Sequence, residues 1–345
     1  MKKIRIAVIG AGLIGSRHLE LISANHDCQV AAICDSQPSC KMLADELGVP
    51  FYQDYEPMLD AEMPDGVIIA TSTEQHAAIG LACIKRSIVP LIEKPITGTL
   101  AEGHRLLVAA EKQRVPILVG HYRRFNPLVQ QARSVIQNGD IGRLVGVTAM
   151  FCLLKPDDYY NVEWRTQPGG GPVLINLIHE IDCLRYICGE IRSIYAMTSS
   201  ATRGFAVEDT ASITLEFEND ALGSLLGSDA VPAPWSYETT TFENPMYFHT
   251  DQNCFHFMGS KGSLAFPRME LWRYPNEHEA GWLHPLMRSQ RSVDHVDPLT
   301  AQLEHFCRVI RGEEQPVVSG ADGLKTLAAT LAIHESASEK RPINL

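Results

Sequence analysis

The chain has 345 residues, 45% hydrophobic and 21% charged, which suits a globular protein with more than one core. Its 41 acidic residues against 30 basic ones leave a formal net charge of −11 with no basic run, which argues against nucleic acid or an anionic membrane as partner. No apolar run is long enough to span a bilayer, and the nine cysteines form no CxxC pair, so neither a zinc ribbon nor a disulfide framework is expected. The apolar run in MKKIRIAVIGAG is too short for a secretory signal, and a cytoplasmic location is expected. IRIAVI reads as a buried strand, GAGLIG as a turn and SRHLELISAN as a helix. QVAAICD (29–35) is a second strand that ends in an acid, and CKMLADEL is a helix. GVIIATS (66–72) is a strand that ends in hydroxyl residues, followed by the helix EQHAAIGLACIKR. VPLIEKP is a strand that ends at Pro95, LAEGHRLLVAAEKQR an amphipathic helix, and VPILVGHYRRFNP a further strand with a polar exit. Strands alternating with helices predict an α/β, doubly wound parallel sheet of Rossmann type over residues 1–125.

The pattern then changes. GRLVGVTAMFCLL (142–154) is a longer strand with partial alternation, and 169–188 is a helix. IRSIYAMTSSA, TASITLEFE and ALGSLLGSDA are neighbouring strands, and FHFMGSKGSLAFP with MELWRYP adds a hairpin that turns at GSKGS. Residues 232–253 and 275–297, rich in Pro, His and aromatics, read as loops. PLTAQLEHFCRVIRG and GADGLKTLAATLAIHESASEK close the chain as helices. Residues 126–345 are therefore expected to form an α+β domain with a large open, mostly antiparallel sheet. The final helices are free to pack back on the first domain.

Gly10, Gly12 and Gly15 form GxGxxG between a strand and a helix. In that context Gly10 permits the tight turn, Gly12 lets a pyrophosphate approach the backbone, and Gly15 lets helix and strand pack closely. Ala11, Leu13 and Ile14 complete the turn. Asp35, which ends the second strand, is placed to bind ribose hydroxyls. A carboxylate there would repel a 2′-phosphate, and Ser36, Gln37 and Pro38 supply no neutralising arginine, so NAD is expected rather than NADP. Thr71, Ser72, Thr73 and His76 leave the third major strand, Glu93 and Lys94 the next, and His121, Tyr122 and Arg123 the last. Ligands of open α/β sheets lie beyond these carboxyl ends. Thr71, Ser72, Thr73, His76, Glu93, Lys94 and Arg123 are therefore candidate cofactor contacts, with Ser36. His18 reads as a helix-surface or packing residue.

AVIGAGLIGSRH, CD at 34–35, IIATSTEQHA, IEKPIT, VGHYRRFNP, GGGPVLINLIHEID, VEDTASITLEFEN, MGSKGSLAF and QLEHFCRVIRG together resemble the Gfo/Idh/MocA oxidoreductases. The resemblance implies a nicotinamide cofactor, a sugar, polyol or related alcohol as substrate, and a dimer or tetramer built on the open sheet. It carries the family's catalytic lysine to Lys94 and its active-site histidine to His179. Proton removal from an alcohol that loses a hydride needs such groups. Many members carry an aspartate four residues before the histidine; this chain has Ile175. Asn176 and Asp182 lie three residues to either side of His179. Tyr122, Arg123, Tyr159, Trp164, Arg165 and Asn176 are candidate substrate contacts, with Lys94 and His179, and no metal site is expected. The expected activity is an NAD-dependent dehydrogenase acting on a secondary alcohol of a sugar, cyclic polyol or sugar-like acid. An NAD-retaining glycoside hydrolase and a non-enzymatic NAD(P)-sensing regulator are the alternatives on this scaffold.

Overall fold

The computed structural model describes residues 2–345, the side chain of Glu277 excepted. The chain divides into two compact units. The first runs to Phe125 and takes in Val296–Leu327.

Its strands are β1 (Ile4–Ile9), β2 (Cys28–Cys34), β3 (Phe51–Tyr52), β4 (Gly66–Ile69), β5 (Val89–Ile92) and β6 (Leu118–Val119). All pair in parallel in the order β3-β2-β1-β4-β5-β6. Between them run α1 (Leu13–Ala24), α2 (Lys41–Leu47), α3 (Tyr55–Glu62), α4 (Thr73–Lys85) and α5 (Leu100–Gln113). Parallel strands need such crossovers, which explains why these strands are apolar runs rather than alternating ones. Ile6, Val8, Ile33 and Ile68 are wholly buried, and they share a core with Leu303, Phe306 and Val309. The strand order reverses at β1 and β4, the point where such sheets open a crevice at their carboxyl ends.

The second unit comprises Asn126–His295 and Ala328–Leu345. After α6 (Pro127–Gln137) it contains β7 (Leu144–Leu154), α7 (Ile178–Cys188), β8 (Ile191–Ser199), β9 (Thr210–Phe217) and β10 (Leu222–Ser228). Then come β11 (Ala230–Trp235), α8 (Tyr237–Thr240), β12 (Phe255–Gly259), β13 (Ser263–Phe266), β14 (Glu270–Arg273) and β15 (Met287–Gln290). The chain ends with α9 (Pro298–Ile310), which belongs to the first unit, α10 (Gly320–Glu339), which begins there, and β16 (Ile343–Asn344). The sheet order is β15-β14-β13-β12-β7-β10-β9-β8-β16, with β11 also on β7. Only the β7–β10 pair is parallel among these.

One face of this sheet is buried and the other exposed, so residues alternate along β8, β9 and β10. Phe151, Phe217, Phe255 and Phe257 on the inner face pack with Ile181, Leu184, Val129 and Ala332. Each such side chain, fully buried, contributes about 1.5–3 kcal/mol.

The structure departs from the sequence reading in several places. Residues 232–253 and 275–297 are not wholly loops: they contain most of β11, all of α8 and all of β15. Pro and polar residues concealed these elements. The polar exit after Val119 shortens β6 to two residues. The helix expected over 169–188 is regular only from Ile178, and Val173–Leu177 forms a π turn in which Ile178 N–H bonds Val173 O. The sequence reading also leaves out α3 and α6, although Leu128, Val129, Ala132, Val135 and Ile136 have helical spacing and Asn126 with Pro127 marks the start of α6.

Candidate active site

In the first unit the glycine turn is built from main chain. Gly10 has φ +90°, and a Cβ there would lie 2.5 Å from Ala70 O. A Cβ at Gly15 would lie 1.8 Å from Gly10 O. Both positions therefore exclude any side chain for reasons internal to the fold. At Gly12 a Cβ would meet nothing within 4 Å. That glycine keeps open space at the start of α1, where Gly12 provides no side-chain cap and the first turn carries no acid. An uncapped helix start with clear space before it suits a phosphate.

Asp35 stands beside this turn. Its Oδ2 accepts from Ala11 N–H at 2.7 Å and its Oδ1 from Gln37 N–H at 2.8 Å. Each carboxylate oxygen keeps a further lone pair for a hydroxyl. Ser36 is exposed, Thr71 and Thr73 are half-buried, and Ser72 starts α4 without a side-chain cap. These residues fit a dinucleotide: the helix start and Gly12 would take its phosphates, and Asp35 its ribose.

Other strand-exit residues face inward. His76 is buried, with Nδ1 2.8 Å from Pro95 O and Nε2 3.1 Å from Thr71 O. Each ring nitrogen faces a carbonyl oxygen, of which a neutral imidazole can donate to one, so the residue links two strand exits. Glu93 is also buried, and its Oε1 lies 2.9 Å from Nε2 of His18. His18 is therefore not on the helix surface but packed inside, at 1% exposure. Burial alone would raise the Glu93 carboxyl, but the hydrogen bond and charge of His18, with the Lys94 charge, bring it below the usual glutamate value. Glu93 Oε2 also accepts from Lys94 N–H at 3.3 Å. Gly120 leaves room for this carboxylate, since a Cβ there would lie 2.8 Å from Oε2. Lys94, half-buried, leaves this exit through a cis peptide bond to Pro95. His121 and Arg123 are buried and Tyr122 is half-buried on a short 3-10 turn.

In the second unit the candidate residues converge from distant segments. The parallel pairing of β7 and β10 sets their ends side by side, with Ser228 opposite Cys152. Lys155 follows β7 and Asp229 follows β10, and Lys155 N–H donates to Asp229 O at 2.9 Å. The Lys155 ammonium lies 3.1 Å from Asp229 Oδ2 and donates to Asn176 Oδ1 at 2.8 Å. Tyr160 O–H donates to Asp229 Oδ2 at 2.8 Å, and Arg203 Nε lies 3.4 Å from Asp229 Oδ1. Burial lowers the Lys155 ammonium from its ordinary value, and Asp229 opposes that shift. Sequence reasoning missed Lys155, Asp229, Tyr160 and Arg203. The one available signal was a lysine and an aspartate closing two apolar strands.

Asn176 lies in the π turn and His179 is the second residue of α7, buried at 8% exposure. Glu208 caps this helix entry: its Oε1 accepts from Val173 N–H at 3.1 Å. Gly171 makes room for it, because a Cβ there would lie 2.4 Å from that oxygen. Ile175 is half-buried. Asp182, at 1% exposure, is inside the unit. Arg165 lies over the Tyr159 ring at 4.0 Å and donates to Tyr159 O at 2.8 Å. Trp164 is half exposed. Among the described residues no group of His, Cys, Asp and Glu has the arrangement to hold a metal ion, and no helix is long and apolar enough to cross a membrane.

A dinucleotide fold with this glycine turn and acid defines an NAD(P)-dependent oxidoreductase. Residues 4–121 match the model of the oxidoreductase family with an NAD-binding Rossmann fold, and residues 129–265 match the Gfo/Idh/MocA C-terminal domain. The chain belongs to the Gfo/Idh/MocA family. It is 29% identical to the myo-inositol 2-dehydrogenase of Thermotoga maritima over 99% of this chain and 98% of that one. It is 25% identical to the D-apiose dehydrogenase of Paraburkholderia graminis, over 100% of this chain and 90% of that one. The crystal structure of an Agrobacterium radiobacter oxidoreductase in complex with NAD+, L-tartaric acid and magnesium shares the fold, with a TM-score of 0.84 and 21% identity over 99% of this chain and 98% of that one.

Proposed function

We propose that this protein is an NAD-dependent dehydrogenase that acts on a secondary alcohol of a sugar, cyclic polyol or sugar-like acid. The observation that carries the choice of NAD is Asp35, whose carboxylate is bonded to Ala11 N–H and is followed by Ser36, Gln37 and Pro38, none of them cationic. A 2′-phosphate would meet an uncompensated negative charge there. The substrate class rests on the relatives, two of which are named as dehydrogenases of an inositol and of apiose.

The bound nicotinamide supplies the hydride acceptor and donor. The chain's own residues handle the proton and the orientation. Lys94 and His179 share the removal of the hydroxyl proton and the stabilisation of the developing alkoxide. Glu93 and His18, buried behind Lys94, hold the main chain of the EKP exit in place. Tyr122, Arg123, Tyr159, Trp164, Arg165 and Asn176 are the proposed substrate contacts. The test is absorbance at 340 nm with NAD or NADP across inositols, aldoses and sugar acids. NADH formation with one class supports the reading. A preference for NADP overturns the role of Asp35, and no reduction with any alcohol overturns the dehydrogenase.

A further inference from the structure

Lysine has only donors, so the Asn176 atom 2.8 Å from Lys155 Nζ must be the amide oxygen. The usual ambiguity of an asparagine amide is removed by its partner. The Asn176 amide nitrogen has no hydrogen-bond partner among the described residues, and the residue is half-buried. Asn176 therefore presents two N–H donors and no acceptor to whatever lies on its open side.

The cations near it differ in how they are partnered. Lys155 and Arg203 face Asp229, and Glu238 adds a second negative charge near Lys155. Asp157, fully exposed and 3.7 Å from Arg203, is screened by solvent. Arg165 stands outside that network, with only the Tyr159 carbonyl as a hydrogen-bond partner among the described residues. Its guanidinium lies 4.0 Å from the centre of the Tyr159 ring, and Lys155 Nζ lies 4.7 Å from the same point. Among the described residues no carboxylate pairs with Arg165, and its Nε is buried with no hydrogen-bond partner.

We propose that Lys155 is a positioning residue that fixes Asn176 as a donor, and that Asn176 with Arg165 selects a substrate carrying a carboxylate over its neutral counterpart. The inference deepens the dehydrogenase reading and rests on it. The ammonium behind the amide oxygen polarises the amide, which strengthens its N–H groups toward an anion. A neutral hydroxyl can accept from the same N–H, but it gains nothing from Arg165.

The test reads binding rather than turnover, so that its failure is separate from failure of the dehydrogenase. The NADH-loaded protein is titrated calorimetrically with matched pairs: gluconate and glucitol, galactonate and galactitol, glucuronate and glucose. At least one acid is expected to bind about tenfold or more tighter than its neutral mate. Asn176→Asp, which keeps an ionic partner for Lys155 but removes both N–H donors, is expected to weaken both members of a pair and to cost the acid about tenfold or more beyond what it costs the neutral mate, so that the preference is lost. Lys155→Met is expected to lower the preference, and Lys155→Arg to restore it. Lys155→Met leaves Asp229 short of a partner and is prone to misfold, so Asn176→Asp carries the test alone if it does. The proposal is overturned if no acid outbinds its neutral mate, or if Asn176→Asp weakens both members of a pair equally. Reduction of NAD by neutral polyols alone, with no acid preferred, would sink this proposal and leave the dehydrogenase standing.

Discussion

The candidate surface in the first unit is main chain, and in the second it is side chain. Around Gly10, Gly12 and Gly15 the recognising groups are peptide N–H donors at a helix start, and the residue types are dictated by what a Cβ would strike. Around Asn176 the proposed recognising groups are its amide and the Arg165 guanidinium, with Lys155 and Arg203 paired to Asp229 behind them. The first kind of surface tolerates almost no variation at its glycines and binds one class of ligand. The second changes its preference with a single side chain. A fold that keeps its cofactor while changing its substrate needs one of each.

The comparison can be broken in several ways. The largest effect is expected from Lys94→Ala, where turnover should fall by about three orders of magnitude while NADH still binds. Loss of NADH binding in a fluorescence titration would mean that Lys94 belongs to the cradle, not to the chemistry. Next is Asp229→Ala, which leaves Lys155 and Arg203 buried without their carboxylate. A loss of about 3–5 kcal/mol in denaturant unfolding is expected, with NADH binding by the folded fraction retained. A smaller loss would mean that the network is more hydrated than its burial indicates.

Gly15 and Gly12 sharpen the contrast within the first unit. Gly15→Ala forces a Cβ to 1.8 Å from Gly10 O, so the turn must move. A stability loss of about 1–3 kcal/mol together with lost NADH binding is expected. Gly12→Ala meets nothing within 4 Å, so its melting temperature should match the wild type while NADH binding weakens about tenfold or more. Equal melting and equal affinity would show that Gly12 has no part in binding.

The smallest effect is a pH dependence in the first unit. His305 Nε2 accepts from Val317 N–H at 3.0 Å and its Nδ1 lies 2.7 Å from Glu314 Oε2. Burial lowers its affinity for a proton below the ordinary histidine value, against the pull of Glu314. The unfolded chain then binds the proton more tightly, so the stability contribution is complete above the ordinary histidine value of 6.5 and is lost as pH falls through the folded value. His305→Asn should flatten that part of the stability profile, and an unchanged slope would assign the dependence elsewhere.

How much of this was legible follows from the same physics. The Rossmann sheet and the glycine turn were readable because their signals, apolar runs and a glycine spacing, lie within short stretches of chain. The large sheet was readable from alternation, and β11, α8 and β15 were not, because they form where the chain is held by its neighbours rather than by its own periodicity. His18 read as a helix-surface or packing residue; it packs inside, and its partner Glu93, 75 residues away, could not be read from the helix alone. Lys155 was invisible for the same reason: only the pairing of β7 with β10 brings it to Asp229.

Asp35 has one more implication, for how such a protein can change. Its carboxylate closes the glycine turn through Ala11 N–H, so the residue proposed to discriminate between cofactors also ties down the loop proposed to receive them. A cationic replacement that welcomes a 2′-phosphate also releases the Ala11 N–H, which then needs a second substitution to re-anchor the turn. Preference and loop order are inherited together, and an engineer who alters one without the other should expect an enzyme that has lost its old cofactor before it gains a new one.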